Sequence, residues 1–229
     1  MINFLLSESK RSENYLKSVY KNKIKISKII YFSKNKKVVS NFIKKRDLIK
    51  NTIFVKSNTV NSPVVKKALT KINNNFPIIY SGYSGEIIKN NNILKRNLIH
   101  FHPGDLPSYK GSTTIFYSLI LKKKITVTCF KMTNIIDKGT ILYKKNFKKP
   151  STLNQLNNSY DHKIRAETMV EFIKKGKKKY KIKKNSKNFD VYYIAHPIIR
   201  GITIHNKQLK HLYKSNDPRY KSRHTNKFA

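Results

Sequence analysis

Short apolar strands alternate with amphipathic helical segments along the first 175 residues, and this alternation limits the fold more than any other feature of the chain. The segment Ile2–Leu6 predicts a buried strand, and Ser12–Tyr20 predicts a helix with Ser12 as its N-cap. Further predicted strands are Ile26–Phe32, Thr52–Val55, Pro77–Ser81, Leu98–Phe101, Ile125–Met132 and Thr140–Phe147. Further predicted helices are Val38–Leu48, Ser62–Lys71, Thr113–Leu121 and Leu153–Ile173. The pattern predicts an α/β fold with a Rossmann-like, mostly parallel twisted sheet and helices on both faces.

The pattern weakens after about residue 175, which divides the 229-residue chain into two parts. Residues 1–175 are long enough for one α/β domain with a sizeable core. Residues 176–229 predict a short basic C-terminal extension. Within it, residues 190–201 are apolar enough to pack on the main domain, whereas Lys214–Ala229 has few core-forming residues and is expected to fray.

The chain has fifty basic residues and eleven acidic ones, which gives a formal charge of +39. One interpretation is codon bias in an AT-rich genome, because lysine, asparagine and isoleucine are abundant together and the lysines occur in every segment. The other is attraction to an anionic substrate such as a nucleotide-linked sugar, a polyglutamylated cofactor or RNA. Nucleic acid is not the favoured partner, because arginine, the usual reader of phosphates and bases, is scarce beside lysine.

The remaining composition excludes several classes of protein. The single cysteine, Cys129, lies in an alternating apolar run that predicts a buried strand thiol, so no disulfide framework or cysteine-based metal site is expected. No run of about 18 apolar residues is present, and the N-terminal apolar stretch is too short for a signal peptide. A cytoplasmic protein without a membrane span is therefore expected. The sequence does not specify an oligomeric state.

Two histidines follow the predicted strand at Leu98, and these residues carry the clearest chemical signal. His100 and His102 are two residues apart, so both side chains project to the same face of an extended chain. Ligands of parallel α/β sheets bind at the carboxyl ends of the strands, where this pair is expected. A later Asp137-Lys138-Gly139 could fold back onto the pair and complete a proton-transfer site. A metal site for iron or zinc built from the same three residues is the alternative.

Four other histidines lack comparable context and are expected to face solvent: His162, His205, His211 and His224.

The stretch His100-Phe-His-Pro-Gly-Asp-Leu-Pro-Ser-Tyr-Lys-Gly111, with Asp137-Lys-Gly downstream, resembles the folate-dependent formyltransferases. The family pattern is Asn-x-His-Pro-Ser-Leu-Leu-Pro, an aromatic or basic pair with Gly, and a later Asp-x-Gly. The segment from Tyr80 to Ile88 is similar to the family's glycine-aromatic segment beside the pterin. The resemblance covers about residues 1–175, the predicted catalytic domain, and His196-Pro197 is similar to a segment that some members carry after the core.

The resemblance implies N-formyl transfer from 10-formyltetrahydrofolate to a primary amine. It assigns proton transfer to His102 and Asp137, and oxyanion stabilisation to His102 with the residue at position 100. A carboxylate near His102 is expected to raise the pKa of that histidine. Position 100 departs from the family, because His100 replaces the asparagine. His100 can substitute for the amide, mark a subfamily with another register or acceptor, or mark a weakened enzyme. Gly104 and Asp105 also replace the family's Ser-Leu.

The resemblance also implies which residues bind the two substrates. The expected folate contacts are Tyr83, Gly85, Ile87, Leu106, Pro107, Asn134 and Ile136. The expected acceptor contacts are Ser7, Arg11, Tyr109 and Gly111.

The preferred acceptor is a small anionic amine, an amino-sugar linked to a nucleotide. The loop after the first strand lacks the glycines of the glycinamide ribonucleotide enzymes, and only about fifty residues follow the core where methionyl-tRNA enzymes carry an RNA-binding domain. These two activities remain alternatives, as do a formyltetrahydrofolate hydrolase and a degenerate basic module that binds RNA or another anion.

Overall fold

The computed structural model describes residues 1–35, 41–46, 48–122, 124–150, 152–175 and 191–203. Its strands are β1 (Ile2–Ser7), β2 (Ile26–Ser33), β3 (Thr52–Lys56), β4 (Ile78–Ser81), β5 (Leu98–His102), β6 (Lys110–Gly111), β7 (Ile125–Lys131), β8 (Thr140–Phe147) and β9 (Val191–Tyr192). Its α-helices are α1 (Lys10–Lys21), α2 (Asn41–Lys45), α3 (Pro63–Leu69), α4 (Asn91–Leu94), α5 (Thr114–Lys122), α6 (Leu153–Gln155), α7 (Asp161–Lys175) and α8 (Pro197–Ile202). A 3₁₀ turn spans Ile49–Asn51 and a π turn spans Leu156–Tyr160.

Seven strands form one sheet in the order β3-β2-β1-β4-β5-β7-β8. The first five run parallel, and β7 and β8 add an antiparallel pair at the edge beyond β5. The prediction of a mostly parallel α/β sheet is therefore confirmed. The carboxyl end of β5 lies where the strand direction changes, between parallel β4 and antiparallel β7.

The central strand β1 is buried on both faces. Phe4 and Leu6 join an apolar cluster with residues of α1, α5 and α7, whereas Leu5, between them, joins a second cluster with residues of α3 and α4. Successive side chains of a strand point to opposite faces, so the continuous apolar run of β1 requires cover on both sides. Helices on both faces, as predicted, supply that cover.

Helix starts follow from side-chain caps. The Ser9 hydroxyl accepts from the Ser12 backbone N–H, so α1 begins at Lys10, and the assignment of Ser12 as the cap is wrong. Ser12 lies in the first turn, and its hydroxyl contacts Ser81 at the end of β4 (Oγ–Oγ, 3.0 Å). α3 starts near the predicted position, with Ser62 as its N-cap and Pro63 as its first residue.

The long predicted helix Leu153–Ile173 is divided by the π turn that precedes Asp161. The predicted helix Val38–Leu48 corresponds to the single turn of α2, with residues 36–40 and 47 outside the described residues. The elements α4, β6, β9 and α8 were not predicted. None of the helices in the described ranges is long and apolar enough to cross a membrane.

Residues 191–203 pack on the main sheet domain. β9 pairs with β6, the Tyr192 ring stacks on Tyr109 with 5.4 Å between centroids, and Ala195 is buried. The predicted fraying segment Lys214–Ala229 lies outside the described residues.

Candidate active site

His102 is buried at the end of β5, and both of its ring nitrogens face an acceptor. Nε2 lies 2.7 Å from the Tyr109 carbonyl oxygen, and Nδ1 lies 3.4 Å from Asp137 Oδ1. A carbonyl oxygen can only accept, so Nε2 carries the hydrogen of the neutral ring and Nδ1 turns its lone pair toward the carboxylate. A proton gained by His102 therefore arrives at Nδ1, beside Asp137.

Burial has a larger effect on the pKa of His102 than the neighbouring Asp137 has. It lowers the pKa of the imidazole below its ordinary value, while the Asp137 carboxylate opposes that shift without overcoming it. The expectation that the carboxylate raises this pKa is wrong in its net direction, because the sequence did not reveal how completely the ring is removed from solvent. The resting ring is neutral near pH 7.

Asp137 is fixed by a backbone donor from another loop. The Gly111 N–H donates to Asp137 Oδ2 at 2.7 Å, which leaves Oδ1 directed at His102. Asp137 has φ +47° and Gly111 has φ +101°, so both turns use left-handed backbone. The carboxylate therefore links the loop after β7 to the segment that contains β6.

Gly104 makes room for the His102 ring. A β-carbon at this position would lie 2.6 Å from His102 Nε2 and 2.4 Å from the Tyr109 carbonyl oxygen. Only glycine lets the backbone pass this close to the Nε2–carbonyl hydrogen bond. The family's serine at this position is thus incompatible with the ring position observed here.

His100 also commits one ring nitrogen to a carbonyl. Nδ1 lies 3.2 Å from the Tyr80 carbonyl oxygen of β4, and the ring is flanked by the rings of Tyr80 and Phe130. Burial, followed by the positive charges of Arg11 and Arg165, lowers the pKa of His100 well below its ordinary value. His100 is therefore neutral near pH 7, with its hydrogen on Nδ1.

A cavity of about 350 Å³ opens over these residues. Part of its lining comes from the turn after β4 and the loop after β7, namely Tyr83, Ser84, Gly85, Glu86, Ile87, Ile88, Met132, Thr133, Ile135 and Ile136. Its other lining residues include Arg11, Ser112, Thr113, Phe116, Leu156, Asn158, Asp161, His162, Arg165 and Arg200. His100, His102, Asp137 and Gly111 also line it.

Nine of the fourteen site residues inferred from the sequence line this cavity: His100, His102, Asp137, Tyr83, Gly85, Ile87, Ile136, Arg11 and Gly111. Five do not, for identifiable reasons. Leu106 is buried against Phe130 and Ile141, and Pro107 follows it across a cis peptide bond. Ser7 is fully buried in β1, and Asn134 is exposed in the loop after β7. The Tyr109 side chain packs on Tyr192, and only its carbonyl reaches the site, through His102.

α7 contributes a charged group to the cavity that was not predicted from the sequence. Arg165 is 9 % exposed, donates from Nε to Asp161 (2.8 Å) and from Nη1 to the Phe101 carbonyl oxygen of β5 (3.1 Å). The available signal was the Asp-x-x-x-Arg spacing, with Arg165 on the apolar stripe that includes Met169 and Phe172. His162 belongs to the same group. It lines the cavity, 3.6 Å from Asp161, with a side chain that is only partly exposed to solvent.

His205, His211 and His224, which were also assigned to solvent, lie outside the described residues.

The loop after His102 is held by ion pairs. Asp105 lies 3.0 Å from Lys122 Nζ and 2.6 Å from Lys144 Nζ. Burial favours a raised pKa for Asp105, but the hydrogen bonds from Lys144 and Lys122 prevail and lower it. Asp105 therefore anchors the loop to α5 and β8, away from the cavity.

The metal alternative finds little support in this geometry. Each histidine directs one ring nitrogen at a backbone carbonyl, and Asp137 Oδ2 is occupied by Gly111. Among the residues that the structure describes, no three His, Cys, Asp or Glu side chains are grouped to hold a metal ion. Cys129 is buried as predicted, and burial raises its pKa well above the ordinary value.

Comparison with solved structures identifies the fold. The chain is similar to a sugar N-formyltransferase from a Shewanella species (16 % identity, TM-score 0.56, 89 % of this chain and 86 % of that one). It is also similar to methionyl-tRNA formyltransferase from Clostridium thermocellum (17 % identity, TM-score 0.54, 86 % and 74 %). A third match is an N-formyltransferase from Helicobacter canadensis in complex with folinic acid and dTDP-3-aminofucose (18 % identity, TM-score 0.51, 83 % and 71 %).

No protein-family model matches the chain, and no curated protein matches its sequence. The chain thus has the fold of the formyltransferases. The similarity is in the structure, whereas the sequence identity is low.

Proposed function

We propose that this protein transfers a formyl group from 10-formyltetrahydrofolate to a primary amine. The observation that carries the proposal is the contact between the buried His102 and Asp137, which line a cavity together with apolar side chains and three arginines. The formyltransferase fold supports it, and the motif that resembles the family lies in the parts of the fold that form this site. A reaction that moves a proton between two nitrogens suits a histidine with a carboxylate beside it.

The pair assists the reaction through the protonation of His102. Attack by a neutral amine on the formyl carbon gives a tetrahedral intermediate with a negative oxygen and a positive nitrogen. As His102 takes up a proton at Nδ1, the ionised Asp137 stabilises the imidazolium that forms. The Gly111 N–H holds the carboxylate in that position during the reaction. Burial keeps water from competing for the same proton.

The folate is proposed to bind against the residues that follow β4 and β7. Tyr83, Gly85 and Ile87 come after β4, Ile136 lies in the loop after β7, and all four line the cavity, where we propose that they pack on the flat pterin ring. Folinic acid, a formylated folate, is bound in the Helicobacter canadensis enzyme of this fold. Gly85 has φ +75°, and no atom lies within 4 Å of a β-carbon built there, so backbone conformation is what requires glycine.

The acceptor is proposed to be anionic, a nucleotide-linked amino-sugar. Three guanidinium groups line the cavity, and each keeps at least one Nη group without a partner among the described residues. They belong to Arg11, Arg165 and Arg200, and the one acidic neighbour paired with them is Asp161. Guanidinium groups recognise phosphates by paired hydrogen bonds. The Helicobacter canadensis enzyme binds a dTDP-linked amino-sugar.

The direct test is release of tetrahydrofolate from 10-formyltetrahydrofolate by purified protein with a panel of amines. We expect release with a nucleotide-linked amino-sugar, and slower or no release with glycinamide ribonucleotide or methionyl-tRNA. Release that is equally fast without any amine would contradict formyl transfer and indicate a hydrolase. The absence of release with every amine would overturn the proposal.

Substitution of the pair tests its role. We expect His102→Ala and Asp137→Asn each to lower kcat by about 10²–10³-fold, because each removes a partner in the proton transfer. The matched control is Glu13→Gln, which also neutralises a carboxylate but in an exposed ion pair with Lys17 on α1. Full activity in the His102 and Asp137 variants would contradict this assignment of the site.

A further inference from the structure

The N–H groups of the two histidines are directed away from the reacting carbonyl. His100 donates from Nδ1 to Tyr80, and His102 donates from Nε2 to Tyr109. In the neutral state neither ring keeps a second hydrogen that could be given to an oxyanion. A histidine that replaces an asparagine amide here thus presents the opposite polarity to the cavity, a lone pair instead of a donor.

The lone pair of His100 is the accessible one. Nδ1 of His102 faces Asp137, whereas Nε2 of His100 has no hydrogen-bond partner among the described residues, and the ring lines the cavity. The ring cannot turn over cheaply, because a flip would remove its hydrogen bond to the Tyr80 carbonyl and leave that polar group unpaired. Tyr80 and Phe130 also confine it from both sides.

We propose that His100 is the catalytic base that receives the proton of the attacking amine at Nε2, and this inference rests on the formyl-transfer function proposed above. The amine nitrogen bonds to the formyl carbon, the carbonyl π electrons move to oxygen, and one N–H proton passes to Nε2 of His100. The oxygen electrons then re-form the carbonyl as the bond from carbon to N10 of the folate breaks. His100 then passes the proton to His102, which holds it at Nδ1 beside Asp137 and gives it to N10, so that both rings return to their resting forms.

The surroundings of His100 keep its Nε2 lone pair free of a proton before the amine attacks. The charged and titratable groups that face it are Arg11 of α1, Arg165 of α7, His102 of β5 and Tyr80 of β4. The two arginines disfavour a lasting imidazolium, and burial disfavours it further. The base is therefore neutral near pH 7 before the reaction, and it holds the proton only between its transfer from the amine and its release toward N10.

The variant His100→Asn distinguishes two roles for the residue at position 100, a base and a hydrogen-bond donor to the oxyanion. An asparagine amide can donate to the oxyanion but cannot accept a proton, so we expect kcat to fall about 10²-fold or more. His100→Ala should lose a similar factor and regain activity with added imidazole, in proportion to the concentration of the neutral form. The matched control is His196→Asn at the exposed N-terminus of α8, where asparagine is also a good cap. Thermal unfolding of each variant identifies any loss of fold, and the imidazole response of His100→Ala is independent of it.

The outcomes keep the two proposals apart. Amine-dependent turnover in the unaltered protein, together with undiminished kcat in His100→Asn, would overturn the role of His100 and leave formyl transfer intact. Loss of activity in His100→Ala without any response to imidazole, in a folded variant, would also count against a base. If the unaltered protein releases no tetrahydrofolate with any amine, both proposals fail together.

Discussion

Two histidines on one strand face acquire different chemistry from the backbone oxygens beside them. The Tyr80 carbonyl sets the hydrogen of His100 on Nδ1, while the Tyr109 carbonyl sets that of His102 on Nε2. The strand places both rings at the cavity, but the neighbouring strand β4 and the loop after β5 determine which nitrogen of each ring stays available. Residue identity at positions 100 and 102 therefore does not determine function without the position of the neighbouring backbone.

The lack of a side chain at Gly104 is what allows the backbone to lie against the His102 ring. We expect Gly104→Ala to destabilise the protein by about 1–3 kcal/mol, because the added methyl group overlaps the Tyr109 carbonyl and the His102 ring. A displacement of about 1 Å in a catalytic group typically costs about 10²-fold in rate, so kcat should fall as well. Denaturant unfolding and the tetrahydrofolate assay measure the two effects.

Gly201→Ala is the control for this change. No atom lies within 4 Å of a β-carbon built at Gly201 in α8, and alanine is the better helix residue by about 0.5–1 kcal/mol. Equal effects at positions 104 and 201 would show that the close contact at Gly104 is not what constrains the site.

At the scale of elements, the π turn and α7 close the cavity from one side. Leu156 and Asn158 of the turn line the cavity together with Asp161 and Arg165 of α7. π turns insert an extra residue per turn and often occur at functional sites. Arg165 then joins α7 to β5 through the Phe101 carbonyl, one residue before His102. The helix thus supports the strand that carries the histidines.

The buried ion pair of α7 should be costly to break. We expect Arg165→Met to lower the free energy of unfolding by about 3–5 kcal/mol, because Asp161 then keeps an unpaired charge and the Phe101 carbonyl loses its donor. The double variant Asp161→Asn with Arg165→Met should recover part of that loss.

The matched pair for comparison is Glu13–Lys17, which has the same i,i+4 spacing on α1 but is exposed. Lys17→Met should cost less than about 1 kcal/mol. If the two single variants lose the same stability, the pair in α7 is not anchoring the helix to β5.

The sequence predicted the seven strands of the main sheet, the longer helices and the mostly parallel sheet because these elements are set by local periodicity. It also brought His100, His102 and Asp137 together, since all three lie at strand ends or turns that the fold places on one edge. It did not identify Arg165 and His162, because the Asp-x-x-x-Arg spacing indicates an ion pair on a helix but not that this part of the helix lines the cavity. The pKa of His102 was misjudged because desolvation depends on the whole fold, whereas the Asp137 contact could be inferred from the motif.

Positive charge far exceeds negative charge along the chain. The chain has 50 basic and 11 acidic residues, and Asp105, Asp161 and Glu171 are each already paired with lysine or arginine. The sequence left two interpretations of this charge, codon bias and attraction of an anionic substrate. The arginines that line the cavity offer a specific place for an anionic substrate to bind, and so they favour the second interpretation. Salt distinguishes the two, because it screens attraction to the whole field within a Debye length of about 8 Å at physiological ionic strength.

We expect kcat/KM for a nucleotide-linked amino-sugar to fall about 10-fold or more between about 0.05 and 0.5 M KCl, because a field of one sign raises association rates by about 10–10³-fold at low salt. The value of kcat at saturating acceptor should change little, since the arginine contacts are made inside the cavity. An uncharged primary amine, tested at the same folate concentration, is the control for salt effects on the folate and on the fold. A parallel decline for both amines would locate the salt effect outside acceptor attraction and would favour codon bias as the origin of the charge.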